Sequence, residues 1–291
     1  MGLRPNFLIL GANKAGTSSL HIYLAQHPDI FMPENKEPTF FPYLANAIQP
    51  AKGNPGLDKA VTNWEDYEAL FADAGGFKIR GESSTAYLHN PAVPPLIKEH
   101  LPDVKMVAVF REPADRAFSN YTMYRRWNIE PLRTFKAALK AEPKRLADGM
   151  NDGYGYTTLG FYADRVEQYL SLFPHDRFRF FLFDDIKHDA AAVAREIFEF
   201  LDIDPDVPVD ASKRYNVNTL TRSQPLDTLL QKQKVKKLVP NAILQCLHNL
   251  NTYKPQLSPQ QHRELQDLYR EDIKRLAKLI DRDLTHWLNP R

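Results

Sequence analysis

The chain of 291 residues has a single cysteine, Cys246, so no internal disulfide can form and a reducing, cytoplasmic setting is expected. It has no apolar run near the roughly 20 residues that a membrane-spanning helix needs. The first strand reads from about Phe7, which leaves no room for a signal peptide ahead of it, and the start Met1-Gly2-Leu3-Arg4-Pro5-Asn6 lacks the hydroxyl residue of a myristoylation signal. An excess of one charge is also missing: 38 Lys and Arg against 36 Asp and Glu leave a net +2, which argues against nucleic acid as the partner. The nine histidines are scattered without metal-ligand spacing, one cysteine excludes a zinc knuckle, and no G-x-S-x-G elbow occurs. No internal repeat, low-complexity tract or compositional break divides the chain, so residues 1–291 are expected to form a single domain.

What is present begins almost at once. Phe7-Leu8-Ile9-Leu10 reads as a strand buried on both faces, followed by Gly11-Ala12-Asn13-Lys14-Ala15-Gly16-Thr17-Ser18-Ser19 and a helix reaching to about His27-Pro28. A strand, a short glycine-bounded loop and a helix N-terminus make an anion site, because first-turn N–H groups are unpaired and the helix dipole favours negative charge. Lys14 adds a cation and Thr17, Ser18 and Ser19 add hydroxyls. The Walker A pattern would place a lysine directly after the second glycine. Here Thr17 holds that place and Lys14 lies inside the loop.

Downstream, Val104 to Phe110 and Phe178 to Phe183 read as two more buried strands, with weaker candidates at 29–32 and 77–81. Helices are expected over 64–71, 93–100, from Pro113 onward, near 133–141, over 159–173, 190–201, near 225–239 and over 259–281. Residues 42–62, 148–157 and 204–222 read as irregular. Strands alternating with helices imply a mostly parallel central sheet flanked by helices, with ligands beyond the C-terminal strand ends. Arg111 sits at such an end, and Ser119 lies about two helical turns later. A guanidinium there can grip a phosphate bidentately while the serine hydroxyl donates from the helix.

Three segments carry a family resemblance. G-x-x-K-x-G-T-S-S-L at 11–20 resembles the 5′-phosphosulfate loop of sulfotransferases that use 3′-phosphoadenosine 5′-phosphosulfate (PAPS). Arg111-Glu112-Pro113-x-x-Arg116-x-x-Ser119-x-Tyr121 resembles their 3′-phosphate motif. Lys36-Glu37-Pro38-Thr39-Phe40-Phe41 resembles a segment of heparan sulfate sulfotransferases and their bacterial relatives, in which the glutamate acts as base. Weaker likenesses are Tyr162 beside the nucleotide, equally readable as core packing, and Lys213-Arg214 in a late basic loop that closes over the 3′-phosphate. There is one departure: Ser83, in Glu82-Ser83-Ser84-Thr85-Ala86-Tyr87, stands where heparan sulfate enzymes carry a lysine. Lys36, Lys78 or Arg80 are the candidates to replace that cation.

The resemblance implies a P-loop-like three-layer α/β fold and in-line transfer of a sulfuryl group from PAPS to a hydroxyl or amine, leaving 3′,5′-adenosine bisphosphate (PAP). It assigns the 5′-phosphate to Lys14, Ala15, Gly16, Thr17, Ser18 and Ser19, and the 3′-phosphate to Arg111 and Ser119. Glu37 would be the base, and Lys14 would stabilise the leaving phosphate without a metal. The acceptor is expected to be a carbohydrate, glycolipid or other small molecule. Lys232 to Lys237 reads as a solvated helix face or as a contact with an anionic polymer or membrane surface. Two other readings stay open: a P-loop nucleotide or small-molecule kinase, and a non-catalytic nucleotide- or polysaccharide-binding protein on the same scaffold.

Overall fold

The computed structural model describes residues 2–46, 60–212, 219–223, 226, 229–230 and 239–289. The chain opens with β1 (Phe7–Gly11), α1 (Thr17–Leu24), β2 (Ile30–Phe31), α2 (Phe40–Leu44), α3 (Trp64–Ala69), β3 (Ile79–Ser83), α4 (Ala86–His89) and α5 (Val93–His100). Next come β4 (Lys105–Phe110), α6 (Pro113–Arg126), α7 (Phe135–Ala147), α8 (Ala163–Leu172), β5 (Phe178–Leu182), α9 (Phe183–His188) and α10 (Ala190–Phe200). The last third carries β6 (Leu220–Thr221), α11 (Asn241–Asn251), β7 (Thr252–Tyr253) and α12 (Pro259–Leu279).

Five strands pair in parallel in the order β2-β3-β1-β4-β5, and β6 pairs with β7 as a separate antiparallel ribbon. β1 is central, and every one of its residues is buried. That explains the unbroken apolar run, since a parallel strand covered on both faces has no solvent side on which to alternate. Each such side chain is worth up to roughly 1.5–3 kcal/mol of burial. After β1 the chain moves to one side of the sheet for β2 and β3, then returns to the other side for β4. The carboxyl ends of β1 and β4 therefore flank a topological switch point, where such sheets bind ligands.

Several expected boundaries shift. α1 ends at Leu24 rather than near His27-Pro28. The helix expected over 159–173 is broken: a 3-10 turn at Thr158–Gly160 precedes α8, and Asp272 of α12 accepts from the Tyr162 and Ala163 N–H groups at 2.8 and 3.1 Å. A long-range carboxylate thus caps α8, a cue that local periodicity does not carry. α7 runs past 141 to Ala147 with Pro143 inside it. α2, α4, α9 and α11 were not expected from the sequence, α2 falling partly in the stretch 42–62 read as irregular, and the helix expected near 225–239 lies largely outside the described residues. No helix among the described residues is long and apolar enough to cross a membrane.

Candidate active site

Gly11 and Gly16 set the first wall. Their φ angles are 136° and 94°, and a side chain on Gly16 would press on the Phe183 ring at 3.0 Å. The left-handed Gly16 N-caps α1, and no side chain accepts from the first turn. The first intrahelical bond there is Leu20 N–H to Gly16 O at 3.1 Å, so the amides of Thr17, Ser18 and Ser19 are left without helical acceptors. Gly16, Thr17, Ser18 and Ser19 all line one cavity of about 1420 Å³. Ala15 does not: it is fully buried, and its N–H donates to Ala12 O at 3.2 Å.

Lys14 stands over this loop with φ 69°. Its ammonium reaches Met123 Sδ at 3.1 Å. Burial, with Arg126, Arg111, Lys36 and Arg116 nearby, brings its pKa down to about 8. A half-desolvated lysine among like charges is an anion site, because a bound anion relieves both penalties at once. Arg111 sits beside it, with Nη1 donating to the Lys14 carbonyl at 3.1 Å and the guanidinium over the Phe183 ring at 4.8 Å. Burial lowers the Arg111 pKa. The Tyr162 hydroxyl donates to the Arg111 carbonyl at 3.1 Å. Tyr162 is buried and lies behind the arginine, outside the cavity lining, whereas Arg111 and Ser119 both line it.

The N-terminus of α6 is occupied differently. Glu112 accepts from the Ala114 and Asp115 N–H groups at 3.2 and 2.6 Å, so this helix start is filled by its own carboxylate. Glu112, Asp115 and His262 bring their ligating atoms within 4.8 Å of one another, a grouping that histidine spacing in the sequence did not reveal. His262 Nε2 lies 3.4 Å from Glu112 Oε2, which ties α12 to the arginine motif.

Glu37 forms the opposite wall. It and Thr39 have φ of 69° and 52°, each strained by on the order of 1 kcal/mol or more for a residue with a side chain. Hydrogen bonds hold them there: Glu37 N–H to Ser83 O at 3.0 Å, Thr39 N–H to Ser84 Oγ at 2.9 Å, and Thr39 Oγ1 to Glu37 O at 3.0 Å. Beneath the loop, Glu82 is fully buried and accepts from Tyr67 Oη at 2.8 Å and Ser84 Oγ at 2.5 Å. Burial raises the Glu82 pKa to about 7. The Glu37 carboxylate accepts from the Thr85 N–H and hydroxyl at 2.7 and 3.1 Å on Oε2, and from Lys36 Nζ at 2.5 Å on Oε1.

Ser83 does not face the cavity. It is buried, with Oγ 2.9 Å from His21 Nδ1, and burial lowers the His21 pKa to about 4, so the pair carries no charge at neutral pH. Of the three candidate replacement cations, Lys78 bonds Asp29 and Arg80 bonds the Arg4 carbonyl; only Lys36 lines the cavity. Trp127 lines it too and is 41% exposed, while Arg125 is turned to the Glu130 carbonyl. Sequence reasoning missed Thr85, and it missed the covering residues Phe183, Ile186 and Lys254 to Leu257. Only Thr85 left a local signal, by following Glu82-Ser83-Ser84 directly. Lys213 and Arg214 lie outside the described residues, as do Lys232 to Lys237.

A parallel α/β sheet with an uncapped helix start, a partly buried lysine and a strand-end arginine at its switch point forms a site suited to a phosphorylated ligand. Residues 4–277 match the sulfotransferase domain family, and the chain belongs to that family. A sulfotransferase from Alicyclobacillus acidocaldarius superposes with a TM-score of 0.80 and 29% identity, covering 99% of this chain and 100% of that one. Mouse sulfotransferase SULT7A1 complexed with PAP shares the fold at a TM-score of 0.53 and 17% identity, over 94% of this chain and 86% of its own. Human bifunctional heparan sulfate N-deacetylase/N-sulfotransferase 3 is 25% identical over 206 residues, 69% of this chain and 22% of its own length. The chain spans less than half the length of the curated relatives it matches.

Proposed function

We propose that the protein is a PAPS-dependent sulfotransferase whose one domain accounts for residues 1–291. The observation that carries this reading is convergence: the amides of 17–19, Lys14, Arg111, Ser119 and Glu37 reach one cavity from the segments that follow β1, β4 and β2. At about 1420 Å³ that cavity exceeds the usual range for one small ligand, roughly 300–1,000 Å³, and fits a nucleotide together with an acceptor. In this reading the 5′-phosphosulfate lies on the α1 start and the 3′-phosphate on Arg111 and Ser119. Gly16 serves by its backbone, and Tyr162 serves by fixing the Arg111 backbone rather than by touching nucleotide. Lys213 and Arg214 remain proposed 3′-phosphate contacts on their resemblance alone.

The chemistry is in-line. The acceptor O–H or N–H gives its proton to Glu37 as the new bond to sulfur forms. The bond from sulfur to the bridging oxygen breaks, and its electrons go to the phosphate facing Lys14. Lys14 and the helix amides supply the compensating charge there, so the residues themselves suffice for this step without a metal. We infer a carbohydrate or glycolipid acceptor, on the heparan-like Glu37 loop and the exposed Trp127 at the cavity, where an aromatic face can carry a sugar ring. Nucleic acid is not an expected partner. A cytoplasmic location is proposed on the reducing setting that the single, exposed Cys246 fits.

The test is transfer of labelled sulfate from PAPS to a panel of oligosaccharides, glycolipids and phenols. Glu37→Gln should abolish transfer while leaving PAP binding intact. Transfer that survives Glu37→Gln would remove the base from the mechanism.

A further inference from the structure

Glu37 is a constrained base. Oε2 already takes two donors from Thr85, and Oε1 is held by Lys36 at 2.5 Å, with the two side chains 19% and 28% exposed toward the cavity. A carboxylate engaged at both oxygens has little capacity left to accept a substrate proton. The Thr85 bonds come from backbone and a short side chain, and cannot swing away. Lys36 can, because its ammonium sits on a flexible four-carbon stem.

Lys36 also shares the cavity with the phosphate loop. It is among the charges that depress the Lys14 pKa, and it acts in the same sense on His21. The neighbouring polar groups cannot supply a cation in its stead. His21 and His89 are both held neutral by burial, with pKa values near 4, and Ser83 is turned to His21. Lys14 and Lys36 thus share with Glu37 the cavity in which a sulfuryl group would lie.

Resting on the sulfotransferase reading, we propose that Lys36 is a catalytic cation that exchanges partners: without donor it pairs with Glu37 Oε1, and with PAPS bound it moves to the sulfonate oxygens. Arrival of the donor then unmasks the base. The acceptor proton passes to the freed Oε1, the acceptor oxygen or nitrogen bonds sulfur, and the bond from sulfur to the bridging oxygen breaks, with its electrons leaving on PAP. Lys36 keeps its proton throughout. It contacts the one group that distinguishes the donor from the product, and returns to Glu37 when the sulfonate has gone.

Calorimetric titration with PAPS and with PAP, in the absence of acceptor, separates the two. Lys36→Met should weaken PAPS binding by about tenfold or more while changing PAP binding less than about twofold. Lys36→Arg should restore part of the PAPS affinity. Equal losses for both nucleotides, or none for PAPS, would overturn the proposal and leave Lys36 a structural partner of Glu37. If Lys36→Met fails to fold, as judged by its thermal transition, Lys36→Gln takes its place in the same comparison. Failure of the unsubstituted protein to bind PAP at all would instead undo the sulfotransferase reading itself.

Discussion

Thr85 places two donors on one oxygen of Glu37, its N–H at 2.7 Å and its hydroxyl at 3.1 Å, and so fixes the direction in which the carboxylate faces. Thr85→Val keeps the shape and the amide but removes the hydroxyl. Turnover should fall by about tenfold, as expected for one hydrogen bond to a charged group, with PAP affinity unchanged by calorimetry. A matching loss of PAP affinity would show that Thr85 supports the nucleotide loop instead.

Lys14 is cationic below about pH 8 and neutral above it, its pKa depressed first by burial and then by Arg126, Arg111 and Lys36. A phosphate bound beside it favours the charged form, so PAP binding should take up a proton near pH 8–9 and weaken as pH rises further. Titrations in buffers of different ionisation enthalpy measure that uptake. Lys14→Met should abolish it.

Glu82 supplies a stability prediction of definite sign. Its folded pKa of about 7 lies above the ordinary glutamate value of about 4.3, so between those limits the native state holds a proton that the unfolded state has lost. The Glu82 contribution to stability should therefore fall as pH rises through this window, while His21 and His89, held neutral with pKa near 4, act in the opposite sense up to about pH 6.5. Glu82 is isolated by difference: between pH 5 and pH 8 the melting temperature of the unsubstituted protein should lose several degrees relative to that of Glu82→Gln.

Tyr162 and Arg111 separate support from contact. Tyr162→Phe removes a donor to the Arg111 carbonyl and should weaken PAP binding only about threefold. Arg111→Ala should cost about 100-fold, because it removes a charged partner of the phosphate.

What the sequence disclosed follows from how local each determinant is. β1 and β4 were legible because burial on both faces writes itself as an uninterrupted apolar run. The phosphate loop was legible because two glycines at fixed spacing are demanded by backbone angles that only they adopt readily. The break before α8 was not, since it depends on Asp272, more than 100 residues away. The placement of Tyr162 behind Arg111 was hidden for the same reason. α9 was hidden because Phe183 continues the apolar run of β5 directly into the helix, and the strand pattern gives no stop. Lys36 and Glu37 are adjacent opposite charges whose pairing the sequence admits, whereas no local pattern announced the left-handed backbone at Glu37.

A two-phosphate adenosine site is decided by calorimetric titration with PAP, AMP and ATP with Mg²⁺. Micromolar PAP binding, much weaker AMP binding, and loss of the PAP preference on Arg111→Ala are expected. Equal or tighter binding of ATP with Mg²⁺, unaffected by Arg111→Ala, would overturn the two-phosphate site and point to a kinase.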